Sequence, residues 1–121
     1  MKRNLKLLVI GCSRFGAKIA SKASTDGYFV TIVDKMEGSF VKLESSYSGY
    51  SIEGDATEIP VLKKARVDEV DEVVITTEDD DTNIFIASII DHFFPTVSLI
   101  VIRLKDSSKS ILLNGRKFKI I

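Results

Sequence analysis

The sequence predicts an α/β protein built on a doubly wound parallel sheet of five to six strands, with helices on both faces. Strand-like and helix-like segments alternate along the whole chain with short connections, which favours right-handed crossovers between parallel strands. Several strand-like segments are apolar at consecutive positions, as expected for strands that are covered on both faces. In addition, the segment Leu7–Ala20 runs from an apolar strand through a turn of small residues into a helix.

Short runs rich in valine, isoleucine and aromatic residues are predicted to be the strands, because such side chains suit a pleated, buried surface. In chain order they are Lys6–Ile10, Phe29–Val33, Tyr50–Glu53, Glu72–Thr76 and Leu99–Arg103, with Lys117–Ile121 as the sixth strand that would complete the sheet. Their lengths are ordinary for strands of globular proteins.

The segments between the strands carry helical patterns, and turn residues mark several of their ends. The predicted helices are Phe15–Thr25, Gly38–Ser46, Ile59–Ala65, Asp79–Phe94 and Ser107–Leu113. Gly27 and Pro95 follow the first and the fourth of these helices, and both residue types stop helices. Asn114-Gly115 is predicted to close the fifth.

The fourth predicted helix is apolar around most of its circumference. Its apolar residues are Ile84, Phe85, Ile86, Ala87, Ile89, Ile90, Phe93 and Phe94. A helix that lies on one face of a sheet needs an apolar stripe of only about 100°. Two explanations stay open: the helix lies in a deep groove between its neighbours, or it forms an interface with a subunit or partner.

Length and composition exclude several classes of protein. The 121 residues suffice for one domain, 1–121, with one core. Seventeen basic and seventeen acidic side chains cancel, so no net charge attracts nucleic acid or an anionic membrane surface. The longest apolar stretches, Leu7–Cys12 and Ile84–Ile90, are far shorter than the ~20 residues of a membrane span, and no signal peptide is recognisable. The single cysteine suits a reducing cytoplasm.

The turn after the first strand nearly matches the Rossmann fingerprint G-x-G-x-x-G, with Ser13 in place of the middle glycine. Gly11 would allow a tight turn, and Gly16 would let the helix pack closely against the sheet. The helix N-terminus then offers N–H groups and the positive end of its dipole to a phosphate. The Ser13 hydroxyl is expected to donate to a phosphate oxygen, although a degraded fingerprint alone is weak support for a nucleotide site.

Charged residues near this loop strengthen the prediction of a nucleotide site. Asp34 ends the second strand about 20 residues after the loop, where an acid accepts hydrogen bonds from ribose hydroxyls. It also disfavours a 2′-phosphate, although Lys35 beside it weakens that argument. The alternative role of Asp34 is to cap the following helix. Arg14, the only cation of the loop, is expected to contact the phosphates rather than to be a solvated surface charge.

A second set of polar residues follows the third and fourth strands, at the edge where open α/β sheets bind ligands. Ala56 would border an adenine, with Asp55 or nearby backbone groups as hydrogen-bonding partners, whereas the alternative is that Asp55 and Thr57 cap the third helix. The acidic run 79–81 is expected to cap the fourth helix rather than to bind a metal ion, although carboxylates do suit Mg²⁺ and Ca²⁺.

These motifs together resemble the nucleotide-binding N-terminal domain of the TrkA-type, or RCK (regulator of potassium conductance), proteins. The resemblance covers essentially the whole chain, in matching order and spacing. It is carried by Val9–Gly16, Val33-Asp34-Lys35, Gly54-Asp55-Ala56-Thr57 with Val61-Leu62-Lys63, and Thr77–Asn83. The G-D-A-T motif followed by a D-D-x-x-N segment is much more specific than the glycine-rich loop.

The resemblance implies a cytoplasmic regulator of a potassium channel or transporter, held at the inner face of the membrane by that partner rather than by insertion. It implies binding of an adenine nucleotide (NAD(H), ATP, ADP or AMP) and assembly into homodimers or larger rings. The implied ligand contacts are Gly11, Ser13, Arg14 and Gly16 at the phosphates, Asp34 at the ribose, Asp55 and Ala56 at the adenine, Thr76, Thr77 and Asn83 at the pocket floor, and Arg103 facing the ligand or paired with an acid. Their neighbours Cys12, Phe15, Lys35 and Thr57 are also expected in the binding site.

Two departures from the family pattern affect these expectations. Ser13 in place of the usual glycine disfavours full-length NAD relative to a mononucleotide. The chain also ends where the family continues into a C-terminal ligand-binding subdomain, so that subdomain is expected to be absent. The sequence therefore corresponds either to a fragment or to a stand-alone regulator.

Catalysis is not expected, because no residue combination supplies a positioned acid, base or nucleophile. His92, the only histidine, is expected at the surface of the apolar helix or in an interface. A helix N-terminus could lower the pKa of the Cys12 thiol, but a packed and unreactive residue is the favoured interpretation. The alternatives to a regulator are the cofactor-binding half of an NAD-dependent oxidoreductase, which would need a partner chain, and an interaction module with a vestigial pocket.

Overall fold

A computed structural model describes residues 5–113 and 117–121 and shows a single parallel sheet. Its strands, in chain order, are β1 (Lys6–Ile10), β2 (Phe29–Asp34), β3 (Tyr50–Glu53), β4 (Glu72–Ile75), β5 (Leu99–Ile102) and β6 (Phe118–Ile120). They lie side by side in the order β3-β2-β1-β4-β5-β6, and every neighbouring pair is parallel. This is the predicted Rossmann-like doubly wound architecture, in which strand order reverses between β1 and β4.

Three α-helices connect the strands: α1 (Arg14–Thr25), α2 (Ile59–Lys64) and α3 (Asp80–Phe93). As predicted, α1 stops just before Gly27, which has a φ of +95°, and α3 stops just before Pro95. The predicted bounds of the strands differ by one residue at four carboxyl ends and one amino end. Asp34 belongs to β2, Thr76 and Arg103 follow β4 and β5, and β6 lacks the predicted end residues Lys117 and Ile121.

Two predicted α-helices are wrong. The segments predicted as Gly38–Ser46 and Ser107–Leu113 are short 3₁₀ helices, Glu37–Lys42 and Ser107–Leu112. Neither 3₁₀ helix contains a buried residue, and Phe40 is their one side chain that packs, partly buried, against an apolar cluster. Neither helix therefore has the buried apolar stripe that stabilises most α-helices in proteins. A third 3₁₀ helix, Val67–Glu69, was not predicted. Asn114-Gly115, expected to close the last of the helices, lies outside the described residues.

The sheet separates two apolar clusters, one on each face. Alternate residues of each central strand point to opposite faces. On β1, Leu8 and Ile10 join the larger cluster beneath α2 and α3, whereas Leu7 and Val9 join the smaller one beneath α1. The consecutive apolar positions of the sequence therefore reflect burial on both faces, as predicted.

Helix α3 buries one side against the sheet and leaves apolar residues exposed on the other. Ile84, Ile86 and Ile90 are buried, whereas Phe85 and Phe93 are each 54% exposed. The groove explanation therefore fails for the two phenylalanines, which the described chain leaves more than half exposed. An interface with a subunit or partner stays the prediction for this side of α3.

Gly16→Ala is predicted to destabilise the fold by about 1–3 kcal/mol, the usual cost of overpacking a tight contact. A Cβ at residue 16 would overlap the carbonyl oxygen of Gly11 and the hydroxyl of Thr76. Urea unfolding followed by circular dichroism measures the change in the free energy of unfolding.

Gly38→Ala is the matched control, because a Cβ at residue 38 meets no atom within 4 Å. Its free energy of unfolding should stay within roughly 0.5 kcal/mol of the unmodified protein. Equal effects of the two substitutions would contradict the close packing of α1 on the strand ends.

Candidate functional site

A crevice of about 220 Å³ opens at the carboxyl ends of the strands, where open α/β sheets bind ligands. Its walls come from the segments that follow β1, β2, β3 and β4 and from the first turns of α3. The lining residues are Ile10, Gly11, Val33, Asp34, Lys35, Met36, Gly54, Asp55, Ala56, Thr57, Thr77, Asp79, Thr82 and Ile86. Asp34, Lys35, Asp55, Ala56 and Thr57 of the predicted site thus share one cavity with Gly11 and Thr77.

The loop between β1 and α1 is held against β4 by backbone contacts that require glycine at two positions. Gly11 has a φ of +95°, and a Cβ there would lie 2.6 Å from the backbone nitrogen of Thr77. Gly16 lies directly on Gly11 and Thr76. The buried Thr76 hydroxyl donates to the carbonyl oxygen of Gly11 at 2.8 Å. Both glycine roles predicted from the sequence are confirmed.

Ser13 caps α1 instead of pointing a free hydroxyl at a ligand. Its Oγ accepts a hydrogen bond from the N–H of Gly16 at 3.1 Å and donates one to the carbonyl oxygen of Thr76 at 2.7 Å. The hydroxyl proton therefore already has an acceptor in this structure, which differs from the expectation that it would be donated to a phosphate. The cap satisfies one of the amides that a helix N-terminus leaves without an intrahelical partner.

The first two residues of α1 present a cation and an aromatic ring at the mouth of the loop. Arg14 is exposed at the first position of the helix. Phe15 follows it, and the guanidinium carbon of Arg103 lies 4.5 Å from the centroid of the Phe15 ring. This is cation–π geometry. Arg103 faces the helix N-terminus through this contact, an arrangement that the sequence did not indicate.

Asp34 joins the glycine-rich loop to the end of β2. Its Oδ2 accepts a hydrogen bond from the N–H of Cys12 at 2.7 Å, and its Oδ1 accepts one from the N–H of Met36 at 2.8 Å. The N-cap of the following 3₁₀ helix is Met36, so the alternative role of Asp34 as that helix's N-cap is wrong. Each carboxylate oxygen can accept a second hydrogen bond, which leaves Asp34 able to bind hydroxyl groups in the crevice.

The Gly54–Thr57 segment forms a tight turn in the crevice wall. Asp55 Oδ1 accepts hydrogen bonds from the N–H of Thr57 at 2.9 Å and from its hydroxyl at 2.7 Å. These two bonds favour the ionised form and lower the pKa of Asp55. Helix α2 has Glu58 as its N-cap, so Asp55 shapes the turn before the helix and is not the cap itself. The small Ala56 is buried at the crevice wall.

Asn83 lies beneath the site and connects the ends of β4 and β5. It is almost fully buried, and its amide nitrogen donates to the carbonyl oxygens of Thr77 at 3.1 Å and Arg103 at 2.8 Å. Its amide oxygen accepts from the N–H and hydroxyl of Thr77. Asn83 and Thr76 therefore position the segments that follow β4 and β5, whereas Thr77 itself lines the crevice.

Of the acidic run 79–81, only Asp79 caps helix α3. Its carboxylate accepts hydrogen bonds from the hydroxyl of Thr82 at 2.7 Å and from the N–H of Thr82 at 2.8 Å, and these bonds lower the pKa of Asp79. The prediction that the whole run caps the helix is therefore wrong for the other two acids. Asp80 accepts from the N–H groups of Lys105 and Asp106 at 2.8 and 2.9 Å, which lowers its pKa, and Asp81 pairs with Lys109 at 3.0 Å. Across residues 5–113 and 117–121, no three His, Cys, Asp or Glu side chains group closely enough to hold a metal ion.

Cys12 is packed away from solvent, and its thiol is disfavoured as a thiolate. Burial is the main cause that raises the pKa of this thiol, and the negative charge of Asp34 adds to it. The Sγ atom donates to the carbonyl oxygen of Ser39 at 3.3 Å. Burial and the charge of Asp34 thus outweigh the lowering effect of the Lys42 charge, and the interpretation of Cys12 as a packed residue is confirmed.

Lys42 is a cation at the loop that the sequence analysis missed. Its ammonium group donates to the carbonyl oxygen of Cys12 at 3.2 Å. Lys42 lies 30 residues after Cys12 in the sequence, in a segment that was expected to be an α-helix. No sequence motif marks it, because its approach to the loop depends on how the 3₁₀ helix folds over β2.

His92 lies far from this chemistry on the exposed side of α3. Its ring meets the ring of Phe93 edge to face, with centroids 4.6 Å apart. This confirms the surface position expected for the histidine.

Among the helices that the structure describes, none is sufficiently long and apolar to cross a lipid bilayer.

A parallel sheet with its strand order reversed between β1 and β4, a glycine-rich loop and an acid at the end of β2 defines a Rossmann-like domain. The chain belongs to the TrkA-N domain family, which it matches over residues 7–120. This is the family to which the sequence motifs pointed.

Individual relatives agree with this assignment. The chain is 28% identical over 103 residues to a Trk system potassium uptake protein TrkA homolog from Pyrococcus abyssi, a match that covers 85% of this chain and 45% of the relative. It thus spans less than half the length of that protein.

Solved structures share the fold. The GsuK RCK domain superposes with a TM-score of 0.80 at 24% identity, over 99% of this chain and 25% of that one. The Kef CTD of Shewanella denitrificans, in its AMP-bound form, superposes with a TM-score of 0.77 at 23% identity, over 96% of this chain and 70% of that one.

The thiol of Cys12 is predicted to react with a disulfide reagent at least about tenfold more slowly in the folded protein than in the unfolded chain, because burial removes access and raises its pKa. Absorbance at mildly alkaline pH, in buffer and in concentrated urea, measures both rates. The pKa of the Cys12 thiol is higher in the folded protein than in the unfolded chain. The contribution of this thiol to the free energy of unfolding should therefore fall as the pH rises through the pKa of the folded state. Equal rates in the two solutions would contradict the packed position.

Proposed function

We propose that this chain is an adenine-nucleotide-binding regulatory domain that controls potassium transport by changing conformation when a nucleotide binds. Membership of the TrkA-N family and the name of its Pyrococcus abyssi relative supply the biological context. The observation that carries the proposal is the crevice itself. It combines Asp34, the Asp55–Thr57 turn and Gly11 of the glycine-rich loop at the carboxyl edge of the sheet, whereas Cys12–Gly16 do not line it.

The walls of the crevice suit the parts of one nucleotide in order. Adenine would lie against Ala56, with the turn at Asp55 offering hydrogen-bonding groups. The ribose would lie at Asp34, whose oxygens keep unused acceptor capacity. The phosphate would lie at the N-terminus of α1, where the dipole and the Arg14 guanidinium favour negative charge.

A regulatory action follows from the position of α3. Thr82 and Ile86 of this helix line the crevice, and Phe85 and Phe93 of the same helix are exposed. A ligand that favours one position of α3 would therefore change the surface offered to another chain. Its effect is limited to the difference between its affinities for the two arrangements.

The expected partners are a second copy of the chain, in a dimer or larger ring, and the membrane subunit of a potassium channel or transporter. We propose that the domain stands at the cytoplasmic face of the membrane through that partner, without inserting into the bilayer. The balanced charge of the chain gives no support for binding to nucleic acid.

We propose that the domain is not an enzyme. The relative from Pyrococcus abyssi is named as a potassium uptake protein, and the cysteine of the loop is packed. The Rossmann-like fold alone does not decide this point, because the same fold serves many unrelated functions. Oxidation of NADH in the presence of a partner chain would instead support the oxidoreductase alternative.

Isothermal titration calorimetry with AMP, ADP, ATP, NAD and NADH tests nucleotide binding. At least one nucleotide is predicted to bind, and Arg14→Ala is predicted to weaken its binding roughly tenfold, the cost of one charge-assisted contact. Lys18→Ala is the matched control, because Lys18 is an exposed cation one turn further along α1. No binding by any nucleotide would favour the interaction module with a vestigial pocket.

The assembly proposal has a separate test. Replacing Phe85 and Phe93 together by serine is predicted to shift any assembly toward monomers, because it removes the exposed apolar side of α3. Native mass spectrometry measures the oligomeric state. Ile111→Ser is the control, since Ile111 is 85% exposed in a different segment. If the unmodified protein, the double variant and Ile111→Ser all formed the same oligomer, α3 would not be the interface.

A further inference from the structure

We propose that Ser13 is a specificity-determining residue that makes this site select a nucleoside monophosphate over a dinucleotide. The inference rests on the proposed function, because it names the class of nucleotide that the same crevice takes. Three features of the structure support it: the cap that the Ser13 hydroxyl forms on α1, the second hydrogen bond of that hydroxyl, and the small volume of the crevice.

The Ser13 side chain occupies the position at which a glycine-rich loop leaves room for a pyrophosphate. Its Oγ accepts the N–H of Gly16 at 3.1 Å, an amide that a bound phosphate oxygen could otherwise receive. A glycine at this position would leave both that amide and the space above it to the ligand. The helix keeps its dipole, so negative charge is still favoured at Arg14 and Phe15, the first two residues of α1.

The second hydrogen bond of Ser13 crosses the point where strand order reverses. The hydroxyl donates at 2.7 Å to the carbonyl oxygen of Thr76, so it connects the loop after β1 to the segment after β4. A dinucleotide binds across the crevice at this point, with its pyrophosphate at the N-terminus of the helix. Its pyrophosphate would therefore meet the serine side chain, whereas a single terminal phosphate can approach α1 from one side.

The crevice is small for a dinucleotide. Its volume of about 220 Å³ is below the roughly 300–1,000 Å³ of pockets that bury most of a drug-sized ligand. Beyond the loop, toward β5, the Arg103 guanidinium lies over the ring of Phe15. A second nucleoside would have to lie outside the crevice, against these side chains.

Titration calorimetry with AMP, ADP and NAD on the full chain and on Ser13→Gly tests this inference. For the unmodified protein, AMP is predicted to bind at least roughly tenfold more tightly than NAD. Ser13→Gly should raise the affinity for NAD about tenfold or more and change that for AMP less than about threefold. Glycine is itself an acceptable N-cap, so this variant should fold, and its thermal unfolding checks that it does.

Two further variants separate the causes. Ser13→Ala removes the hydroxyl but keeps the Cβ, so it should recover only part of the gain in NAD affinity. Ser24→Gly is the matched control at the other end of α1, and the ratio of AMP to NAD affinity should not change in it.

The outcomes also distinguish the two proposals. Equal affinity of the unmodified protein for AMP and NAD, or an unchanged ratio in Ser13→Gly, would overturn the role of Ser13 and leave the proposed function in place. Absence of binding by every nucleotide, in every variant, would overturn the proposed function and this inference with it.

Discussion

The first turn of α1 lies directly against the carboxyl ends of β1 and β4, and this contact determines where each group of the candidate site can stand. It requires a glycine at residue 16, a left-handed glycine at residue 11 and the buried hydroxyl of Thr76, which donates to the Gly11 carbonyl. Because the helix start is placed so closely on the strand ends, its dipole points at the mouth of the crevice. Any larger separation would move the helix amides away from the proposed phosphate position.

Intramolecular hydrogen bonds hold the loop in place around this contact. Asp34 accepts from the Cys12 amide, Lys42 donates to the Cys12 carbonyl, and Ser13 caps the helix. A loop that is already ordered loses little conformational freedom when a ligand arrives, which favours binding. The same bonds limit which ligand groups can find an unoccupied donor.

Features encoded by neighbouring residues could be predicted from the sequence. The strands, the roles of Gly11 and Gly16 and the position of Asp34 follow from local patterns with well-known spacing. Features that depend on distant segments could not be predicted. Lys42 reaches the loop because a 3₁₀ helix crosses over β2, and Arg103 meets Phe15 because β5 ends near the start of α1. The two segments wrongly predicted as α-helices show the same limit, because lack of burial decides their conformation.

The outermost strands of the sheet are short: β3 has four residues and β6 has three. Unpaired backbone at a sheet edge is a template on which another molecule can add a strand, and brief edges offer it few hydrogen bonds. The short edge strands therefore disfavour the strand-by-strand association of many copies into fibrils. The domain should stay out of insoluble aggregates even at a high local concentration.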